Sequence, residues 1–211
     1  MSRARLHKAE AIVLKRHDYG EADRIVTVFT RERGKITVIA KGVRRIASRK
    51  AGHIELFTHA AMLLAEGRSM DVLTQVEMIE PFAALRDDLV RTSYAYLIAE
   101  LVDLFEHDGH VNPAAFDLLR DSLAALGAAD DPSVVARWFE LHYLDLIGYR
   151  PQLFACAACA APLEPGDAVF SPDAGGVVCT ARRARVADGV PLDDAAFRLL
   201  RFLQSRPLSL A

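Results

Sequence analysis

The cysteines of the chain are spaced like the ligands of a zinc ion. Cys156 and Cys159 form one Cys-x-x-Cys corner, and Cys179 begins a second corner further along the chain. Two such corners let four thiolates hold one tetrahedral ion. Arg182 stands at the position of the fourth cysteine, and its guanidinium cannot ligate zinc. The sequence therefore offers three candidate metal ligands, Cys156, Cys159 and Cys179, and lacks the fourth.

The missing ligand leaves two interpretations open. A carboxylate, Asp173 or Asp188, is the nearest substitute, because no histidine follows His142. Alternatively, the segment is a relic ribbon with reduced thiols, which packing holds together without a metal. In that case zinc is possible but not required, and no other cofactor is indicated. The apolar residues available for the packing are Phe154, Phe170 and Val177.

Signatures of catalysis are missing from the sequence. It contains no Gly-x-Ser-x-Gly motif, no phosphate-binding Gly-x-x-x-x-Gly-Lys loop and no dinucleotide-binding Gly-x-Gly-x-x-Gly motif. Several acids have the ligand type of a metal-dependent nuclease, but their spacing fits exposed helix faces and caps. We therefore predict a protein that is not an enzyme. The acids in question are Asp87, Asp88, Asp103, Asp108 and Asp117.

Charge is distributed very unevenly along the chain. Residues 1–50 carry 14 of the 26 Lys and Arg and only five of the 28 Asp and Glu, a formal charge of +9. The remaining residues carry the other 12 bases and 23 acids, a formal charge of -11. A basic segment of this kind favours binding to DNA or RNA through the release of counterions from phosphates. The alternative is a solubilising surface.

The basic residues of this segment are the candidate phosphate contacts. The run from Lys41 to Lys50 is the densest part of it. Of the two aromatic residues there that could stack on bases, Tyr19 is the better candidate, because Phe29 lies in an apolar register and is predicted to be core. The leading DNA-binding candidates are Lys35, Lys41, Arg44, Arg45, Arg49 and Lys50. A second group consists of Arg3, Arg5, Lys15, Arg16, Arg24 and Arg33.

The elements that carry these bases are predicted to be strands. Alternating apolar segments separated by glycine-containing turns indicate an antiparallel meander of five strands within residues 1–80. Five short strands fit a small closed barrel of the OB type, whose strand face and loops bind oligonucleotides, although an SH3-like barrel satisfies the same pattern. The predicted strands lie at 11–14, 25–29, 36–40, 53–66 and 70–79.

After Pro81 the apolar period changes from two to about 3.6, which indicates helices. Asn112-Pro113 and Asp131-Pro132 are typical helix starts, and a last amphipathic helix is predicted over 193–205. The fold class is therefore α+β, with an OB-fold domain at 1–80 and a helical domain at 81–211 that carries a zinc-ribbon-like insert at about 152–190. The apolar stripe of the first helix is predicted as Leu85, Leu89, Tyr96, Leu97, Leu101, Leu104 and Phe105.

Compartment and chain ends are suggested by composition. The chain has no apolar run long enough for a membrane span, and its first residues lack the apolar core of a signal peptide. Three cysteines do not make a disulfide framework. We therefore predict a cytoplasmic protein with no membrane partner. The apolar end at residues 208–211 is compatible with a truncated C-terminus.

Several motifs resemble the RecO family of bacterial recombination mediators. The first is the stretch 19–30, followed by Gly34-Lys35 and by the run 40–45. The resemblance continues through an Ile-Gly-Tyr-x-Pro step at 147–151 and through the later arrangement of Phe170, Gly175-Gly176 and Cys179. It covers nearly the whole chain. The departure at Arg182 affects the metal site and leaves the barrel untouched.

The resemblance implies an N-terminal OB fold, a helical C-terminal domain and, in some members, a four-cysteine zinc ribbon. Its implied activity is to bind single- and double-stranded DNA and to anneal complementary strands in the RecF pathway of DNA repair. The implied partners are RecR and the C-terminal tail of single-strand-binding protein, with RecA loaded indirectly on DNA coated by the latter. Members without the cysteines imply that zinc is dispensable, and the implied location is the cytoplasm, at the nucleoid.

Two other functions remain open at this stage. The first is a non-catalytic adaptor that binds proteins and whose basic charge is incidental; the second is a metal-dependent nuclease. The acidic helical domain would be repelled by DNA, so we expect it to hold partners, and apolar helix faces ringed by arginine could receive an acidic peptide. The arginines concerned are Arg86, Arg91, Arg137 and Arg150.

Overall fold

The computed structural model describes residues 5–46, 48, 50–164, 166 and 168–208. The chain divides into two compact units, Met1–Pro132 and Ser133–Ala211. The described residues of the first unit form five strands and three α-helices. Among the described residues, no helix combines the length and the apolar character needed to cross a membrane.

The five strands of the first unit close into a barrel. They are β1 (Leu6–Tyr19), β2 (Asp23–Thr30), β3 (Gly34–Ala40), β4 (His59–Ala65) and β5 (Asp71–Glu80). Their order is β1-β2-β3-β5-β4, and β4 pairs back onto β1. Only the short β3–β5 contact is parallel. The structure thus confirms the OB-like barrel.

The fourth strand begins later than predicted. Residues 53–58 were expected in it, but Ala51–Ile54 forms a short 3-10 helix and the strand begins at His59. Phe57 has a positive φ of 67°, which an extended strand does not contain. Ile54 and Phe57 are nevertheless buried, so apolar content alone made this segment look like strand.

The barrel has a small-residue interior and an outer face that receives helices. Inward-facing residues of β1, β2 and β3 such as Ala11, Val26 and Val38 are fully buried, as the alternation of side chains along a strand requires. On the outer face, Phe29 is fully buried with its ring 6.1 Å from that of Phe116. The prediction that Phe29 is core is therefore confirmed.

Three helices follow the barrel in the first unit: α1 (Ala84–Asp87), α2 (Leu89–Phe105) and α3 (Pro113–Ala128). The N-cap of α3 is the predicted Asn112, whose Oδ1 accepts from the N–H of Ala115 at 3.1 Å. Asp88 caps α2 in the same way, accepting from the N–H of Arg91 at 2.9 Å. These caps satisfy backbone donors that the first turn leaves unpaired.

The buried face of α2 differs from the predicted apolar stripe. The predicted residues Leu89, Tyr96, Leu104 and Phe105 are exposed. The helix instead buries a face of smaller residues, which permits closer packing than large side chains would. The prediction was therefore right in part, because Leu85 is fully buried and Leu97 and Leu101 are partly buried. The buried residues are Ala95, Ile98, Ala99 and Val102.

The second unit combines two helices with a three-stranded sheet. Its elements are α4 (Pro132–Leu146), β6 (Ala168–Ser171), β7 (Gly176–Val178), β8 (Val190–Leu192) and α5 (Asp194–Ser205), with a 3-10 helix at Thr180–Arg185. The sheet order is β7-β6-β8 and all pairs are antiparallel. It forms an apolar core with Leu153, Cys156 and Phe197. The helices lie where the sequence predicted them.

The packing set expected for the ribbon is partly wrong. Val177 is fully buried and Phe170 is partly buried, but Phe154 is 51% exposed. The guanidinium of Arg201 lies 4.9 Å from the centre of the Phe154 ring, at a distance typical of a cation–π contact. The phenyl ring thus meets an arginine at the surface instead of the core.

Candidate nucleic-acid interface and cysteine cluster

The basic run after β3 folds back against the turn between β1 and β2. The backbone N–H of Arg44 donates to the carbonyl of Ala22 at 2.9 Å, and the N–H of Gly42 donates to Oδ1 of Asp23 at 2.7 Å. The Arg44 guanidinium also reaches the carbonyl of Gly20 at 3.3 Å. These bonds hold the start of the basic run beside the β1–β2 turn at one end of the barrel.

Four predicted DNA-binding residues meet at this end, and we call them the loop surface: Lys41, Arg44, Arg45 and Lys50. Lys41 and Arg45 are exposed, and within the described part of the chain neither side chain forms an ion pair. The ammonium of Lys50 lies 3.2 Å from the carbonyl of Leu73, which positions it but leaves its charge uncompensated. The loop surface therefore presents cations to solvent.

Acidic residues neutralise part of this charge by forming ion pairs. The Asp18 carboxylate accepts from Nε of Arg24 at 2.9 Å and lies 3.3 Å from Nε of Arg44. The hydrogen bond from Arg24, opposed by slight desolvation and helped by the charge of Arg44, holds the pKa of Asp18 below its ordinary value. Arg16 pairs with Glu55. The Asp18 carboxylate thus occupies the guanidinium groups of Arg24 and Arg44, and a phosphate would have to compete with it for them.

Other predicted contacts lie elsewhere in the first unit. The side chain of Lys35 is only 14% exposed, and its ammonium donates to the carbonyl of Asp103 at 2.5 Å. Lys15 is 66% exposed and pairs with the Asp103 carboxylate, and Arg33 pairs with Asp71 at 2.6 Å. Arg5 is exposed. Arg3 and Arg49 lie outside the described residues.

Arg68 is an exposed base near the barrel that the sequence-based candidates do not include. Arg68 lies in the β4–β5 loop and lines a groove of about 410 Å³ together with Arg33, Lys35 and the carboxylates of Asp71 and Asp108. In OB folds the strand 2–3 face and the loop between strands 4 and 5 take part in oligonucleotide binding. The turn Gly67-Arg68-Ser69 between two strands was the signal that could have identified it.

The strand face between these loops carries mixed side chains. The pairing register aligns Lys15, Thr27 and Thr37 in one row across β1, β2 and β3. Phe29 is buried and cannot stack on a base, whereas Tyr19 is 53% exposed at the end of β1. The residues described on this face therefore offer charge and hydroxyl groups, and not aromatic rings, to a ligand.

Several of the acids considered as nuclease ligands have structural partners. Asp88 caps α2, Asp103 lies between Lys15 and Lys35, and Asp117 pairs with Arg31 and Arg120. Within the described ranges, the three cysteines are the one group of three or more metal-ligating side chains that lie close enough together to share an ion. The acids of the first unit thus do not converge on a shared ion.

The three cysteines converge in the second unit. Their sulfurs all lie within 4.8 Å of one another, and the Sγ atoms of Cys159 and Cys179 are 3.9 Å apart. The N–H of Cys179 points at Cys156 Sγ at 3.4 Å. Burial raises the pKa of Cys156, but backbone N–H groups of Cys179 and Ala158 outweigh it and lower the value to about 7. Burial and the neighbouring thiols raise the pKa of Cys179.

The carboxylates suggested as a fourth ligand are placed differently. Asp188 accepts from Oγ of Ser171 at 2.6 Å and from the N–H of Asp173 at 2.8 Å. These hydrogen bonds, that of Asp173 first, hold the pKa of Asp188 below its ordinary value. No carboxylate oxygen of a described residue joins the sulfur cluster. Asp188 therefore serves the β6–β7 turn.

An apolar groove of about 390 Å³ lies in the same unit. Leu141, Leu144 and Leu200 contribute to its wall, and Arg137 and Glu140 also line it. Nη1 of Arg137 lies 2.7 Å from Oε2 of Glu140. The other arginines expected near partner-binding faces form hydrogen bonds or ion pairs within the protein. Arg86 donates to the carbonyl of Pro81, Arg91 donates to that of Leu126, and Arg150 pairs with Asp145. His142 stacks on Trp138 and contacts the carbonyl of Leu203, which is a packing role.

The chain is similar over nearly its whole length to a known protein family and to curated proteins. Residues 1–82 match the family model described as recombination protein O N terminal, and residues 86–211 match recombination protein O C terminal. Among curated proteins, the DNA repair protein RecO of Roseiflexus sp. (strain RS-1) is 45% identical over 209 residues, which cover 99% of this chain and 74% of that protein.

Two further relatives show the same extent of similarity. The DNA repair protein RecO of Pelotomaculum thermopropionicum is 40% identical over 205 residues, covering 97% of this chain and 79% of the relative. That of Heliobacterium modesticaldum is 41% identical over 203 residues, covering 94% of this chain and 74% of the relative. The similarity therefore extends over the barrel, the helices and the ribbon.

Proposed function

Because the chain belongs to the RecO family of DNA repair proteins, we propose that it binds single- and double-stranded DNA through its barrel and anneals complementary strands. The observation that carries the proposal is the loop surface, where Lys41, Arg44, Arg45 and Lys50 gather beside the β1–β2 turn. The proposed role is non-catalytic, draws on the barrel and on the groove of the second unit, and requires no cofactor.

The chemistry of annealing suits such a surface. Two complementary strands repel each other, and cations that bind phosphates reduce this repulsion while the base edges stay free to pair. Phosphate contacts carry no sequence information, so the protein would act on any sequence. The few aromatic residues on the described strand face support binding by charge in preference to base stacking.

The proposed partner-binding site lies in the second unit. We propose that the groove beside Arg137 receives the acidic C-terminal tail of single-strand-binding protein, because an apolar floor with an arginine at its margin suits an acidic peptide with apolar residues. With RecR as a second partner, the protein would help to load RecA on DNA coated by single-strand-binding protein, at the nucleoid in the cytoplasm.

A second candidate function is supported by one specific observation. Six of the twelve predicted phosphate contacts pair with carboxylates of the first unit: Lys15, Arg16, Arg24, Arg33, Lys35 and Arg44. Pairing of this extent is expected if the basic charge stabilises the barrel and the protein is a protein–protein adaptor. The adaptor therefore remains the alternative that the first experiment must exclude.

The test is fluorescence anisotropy with labelled single-stranded DNA at increasing salt. The variant Lys41→Ala/Arg45→Ala should weaken binding at low salt by about tenfold and reduce the salt slope by about 1.4, since two phosphate contacts are lost. The control Arg183→Ala/Arg185→Ala removes the same charge from exposed positions of the ribbon and should leave the affinity unchanged. Absence of DNA binding by the unmodified protein at low salt would favour the adaptor.

The groove is tested with a labelled peptide of the acidic tail. Arg137→Glu should abolish peptide binding by charge repulsion, while DNA affinity stays the same. Arg150→Glu is the matched control, because both arginines are about half exposed and pair with an acid of the same unit. Equal loss of peptide binding in both variants would show that general charge, and not the groove, attracts the peptide.

A further inference from the structure

The cysteine cluster does not complete the donor set of a zinc ribbon. A structural zinc site takes four protein ligands, whereas three sulfurs meet here. Arg182 occupies the fourth corner position, and its guanidinium has no lone pair for a metal. Among the described residues, no histidine or carboxylate joins the sulfurs. The chemistry that these residues can perform by themselves is that of thiols.

Backbone hydrogen bonds hold the two cysteine-bearing segments side by side. The N–H of Gln152 donates to the carbonyl of Gly175 at 2.9 Å, and the N–H of Val177 donates to the carbonyl of Gln152 at 2.8 Å. The N–H of Ala157 in turn donates to the carbonyl of Val177 at 2.9 Å. These bonds pair the segment that carries the first cysteine corner with β7, which leads directly to the next cysteine.

A glycine allows this close pairing. A Cβ at Gly176 would lie 2.4 Å from the carbonyl oxygen of Gln152, and glycine is the residue that permits backbones to approach so closely. A side chain at this position would push the two segments apart, and the cysteines with them. The distance between the thiols therefore follows from the backbone of the ribbon.

Two of the three sulfurs are close together and accessible to solvent. The Sγ atoms of Cys159 and Cys179 are 3.9 Å apart, and Cys159 is exposed while Cys179 is partly exposed. A disulfide bond is about 2.05 Å long, so the sulfurs must approach by about 2 Å, which side-chain rotation of the exposed Cys159 can supply. Cys156 is only 2% exposed, and its sulfur faces the N–H of Cys179 at 3.4 Å. The accessible pair is therefore Cys159 with Cys179.

A depression of about 360 Å³ leads to the exposed thiol. It is lined by Gln152, Cys156, Cys159 and four alanines, whose side chains are too short to cover the sulfur. Redox-active cysteines are accessible and lie next to a second thiol that resolves the first oxidation product. Both features occur here, and the depression admits a molecule as small as a hydroperoxide.

We propose that Cys159 and Cys179 form a reversible disulfide when the protein meets a hydroperoxide such as hydrogen peroxide. The Cys159 sulfur, as a thiolate, attacks a peroxide oxygen; an S–O bond forms, the O–O bond breaks, and the departing hydroxide takes up the thiol proton and leaves as water. The Cys179 sulfur then attacks the oxidised sulfur; the S–S bond forms, the S–O bond breaks, and a second water leaves with the Cys179 proton. The two thiols lose two electrons, which the peroxide gains.

Reduction returns the site to its starting state. Two molecules of a small thiol cleave the disulfide by thiol–disulfide exchange and leave as their own disulfide. In a reducing compartment the bond is therefore transient. While it exists it joins two positions 20 residues apart and restrains the ribbon between them. The proposal goes beyond the DNA-binding role and does not rest on it.

Thiol counting and peptide mapping of the full chain test the proposal. The protein is reduced, freed of reductant, kept in a metal chelator and treated with a small molar excess of hydrogen peroxide. The thiols that react with a maleimide after denaturation should fall from three to one, and the intact mass should fall by that of two hydrogens. Dithiothreitol should restore all three thiols.

The linked pair is identified after the remaining thiol has been blocked. Cleavage before Asp167 and Asp173 separates the first cysteine corner from the later cysteine. The digest should contain these two peptides joined by a disulfide. Fragmentation should place the bond at Cys159 and Cys179 and the blocking group on Cys156.

Two serine variants form the matched comparison. Cys156→Ser keeps the proposed pair and should form the disulfide as fast as the unmodified protein. Cys179→Ser removes the resolving thiol, so oxidised Cys159 should persist as a sulfenic acid that dimedone labels. Circular dichroism checks that each variant is folded. The peptide map of the unmodified protein identifies the pair even if Cys156→Ser does not fold.

Four results would overturn the proposal. The first is the survival of three free thiols in peroxide, and the second is a bond between Cys156 and Cys159 in the unmodified protein. The third is oxidation that dithiothreitol does not reverse, which would mean that the thiols proceed to sulfinic acid. The fourth is protection of the thiols when the chelator is left out, which would mean that a bound ion holds the sulfurs.

Discussion

Lys35 lies near the start of β3 and Lys41 directly follows its end, and their ammonium groups have different surroundings. The Lys35 side chain is 14% exposed and donates to the carbonyl of Asp103. Lys41 is exposed, and no carboxylate of the described residues pairs with it. Two residues of the same type in the same basic segment thus differ: Lys35 is engaged within the fold, and Lys41 is available for the proposed contact with DNA.

The first prediction separates these roles by stability. Lys35→Ala should lower the free energy of unfolding by about 1–3 kcal/mol, because it leaves the nearly buried Asp103 with Lys15 as its remaining partner. Lys41→Ala should change it by less than about 0.5 kcal/mol, as exposed substitutions generally do. Urea unfolding measures both. Equal effects in the two variants would contradict the assignment.

The second prediction concerns Asp18, which pairs with Arg24 and Arg44 beside the loop surface. Asp18→Asn removes the competing carboxylate, so DNA affinity at low salt should rise by a few fold and the salt slope should steepen by about 0.7 for single strands. Anisotropy titrations at several salt concentrations measure both. Glu21→Gln, an exposed acid of the neighbouring turn, is the control, and an equal gain there would reduce the effect to net charge.

The sign of the pH dependence follows from the lowered pKa of Asp18. A carboxyl whose pKa is depressed in the folded protein contributes stability above its unfolded pKa and loses it as the pH falls through the folded value. The pairs with Arg24 and Arg44 therefore persist through the neutral range. The gain in DNA affinity from Asp18→Asn should be the same at pH 6 and pH 8.

At the scale of elements, the face that α2 buries is not the face that carries most of its largest apolar residues. It buries Ala95, Ile98, Ala99 and Val102 and exposes Leu104, which is 67% accessible. Small residues allow a helix to approach a barrel or a neighbouring helix closely, since interiors are packed to high density. Several larger apolar residues of the same helix, such as Leu104, are exposed instead.

The third prediction tests this face. Ala99→Leu should destabilise the protein by about 1–3 kcal/mol, because the added methylene groups have no space in a packed interface. Leu104→Ala should change the stability by less than about 0.5 kcal/mol, because the side chain is exposed. Chemical denaturation measures both. If Leu104→Ala proved the more costly, the predicted apolar stripe and not the observed face would be the buried one.

At the scale of the whole molecule, the basic and acidic parts of the sequence are not kept apart. The excess of +9 in the first fifty residues is partly neutralised by acids from distant parts of the chain, such as Asp103 and Asp117. What remains for a nucleic acid is a limited loop surface and not a uniformly basic barrel. The number of bases without a carboxylate partner is therefore smaller than the total number of bases.

The fourth prediction makes that number measurable. Four contacts from the loop surface correspond to a slope of log affinity against log salt of about -3 for single-stranded DNA. A slope near -8 would mean that all twelve candidate bases take part, which requires further ion pairs to open on binding besides that of Arg44 with Asp18. Anisotropy over a tenfold range of salt distinguishes the two values.

Much of the fold could be predicted from sequence patterns that span only a few residues. Strand alternation predicted the barrel, Asn112-Pro113 predicted a helix start, and the Cys156–Cys159 spacing predicted a corner, because each depends on neighbours within a few residues. The family motifs at 19–30 and 40–45 agree with the family models that the chain matches. The charge of the first fifty residues was likewise visible in the sequence itself.

The tertiary structure alone decided which of these features are available for function. Lys15 and Arg31 pair with acids 88 and 86 positions away, and no local pattern connects such residues. The same holds for the face of α2 and for the approach of Cys179 to the first cysteine corner. Side-chain accessibility depends on contacts between segments that are remote in the chain, so it appears only when the chain is folded.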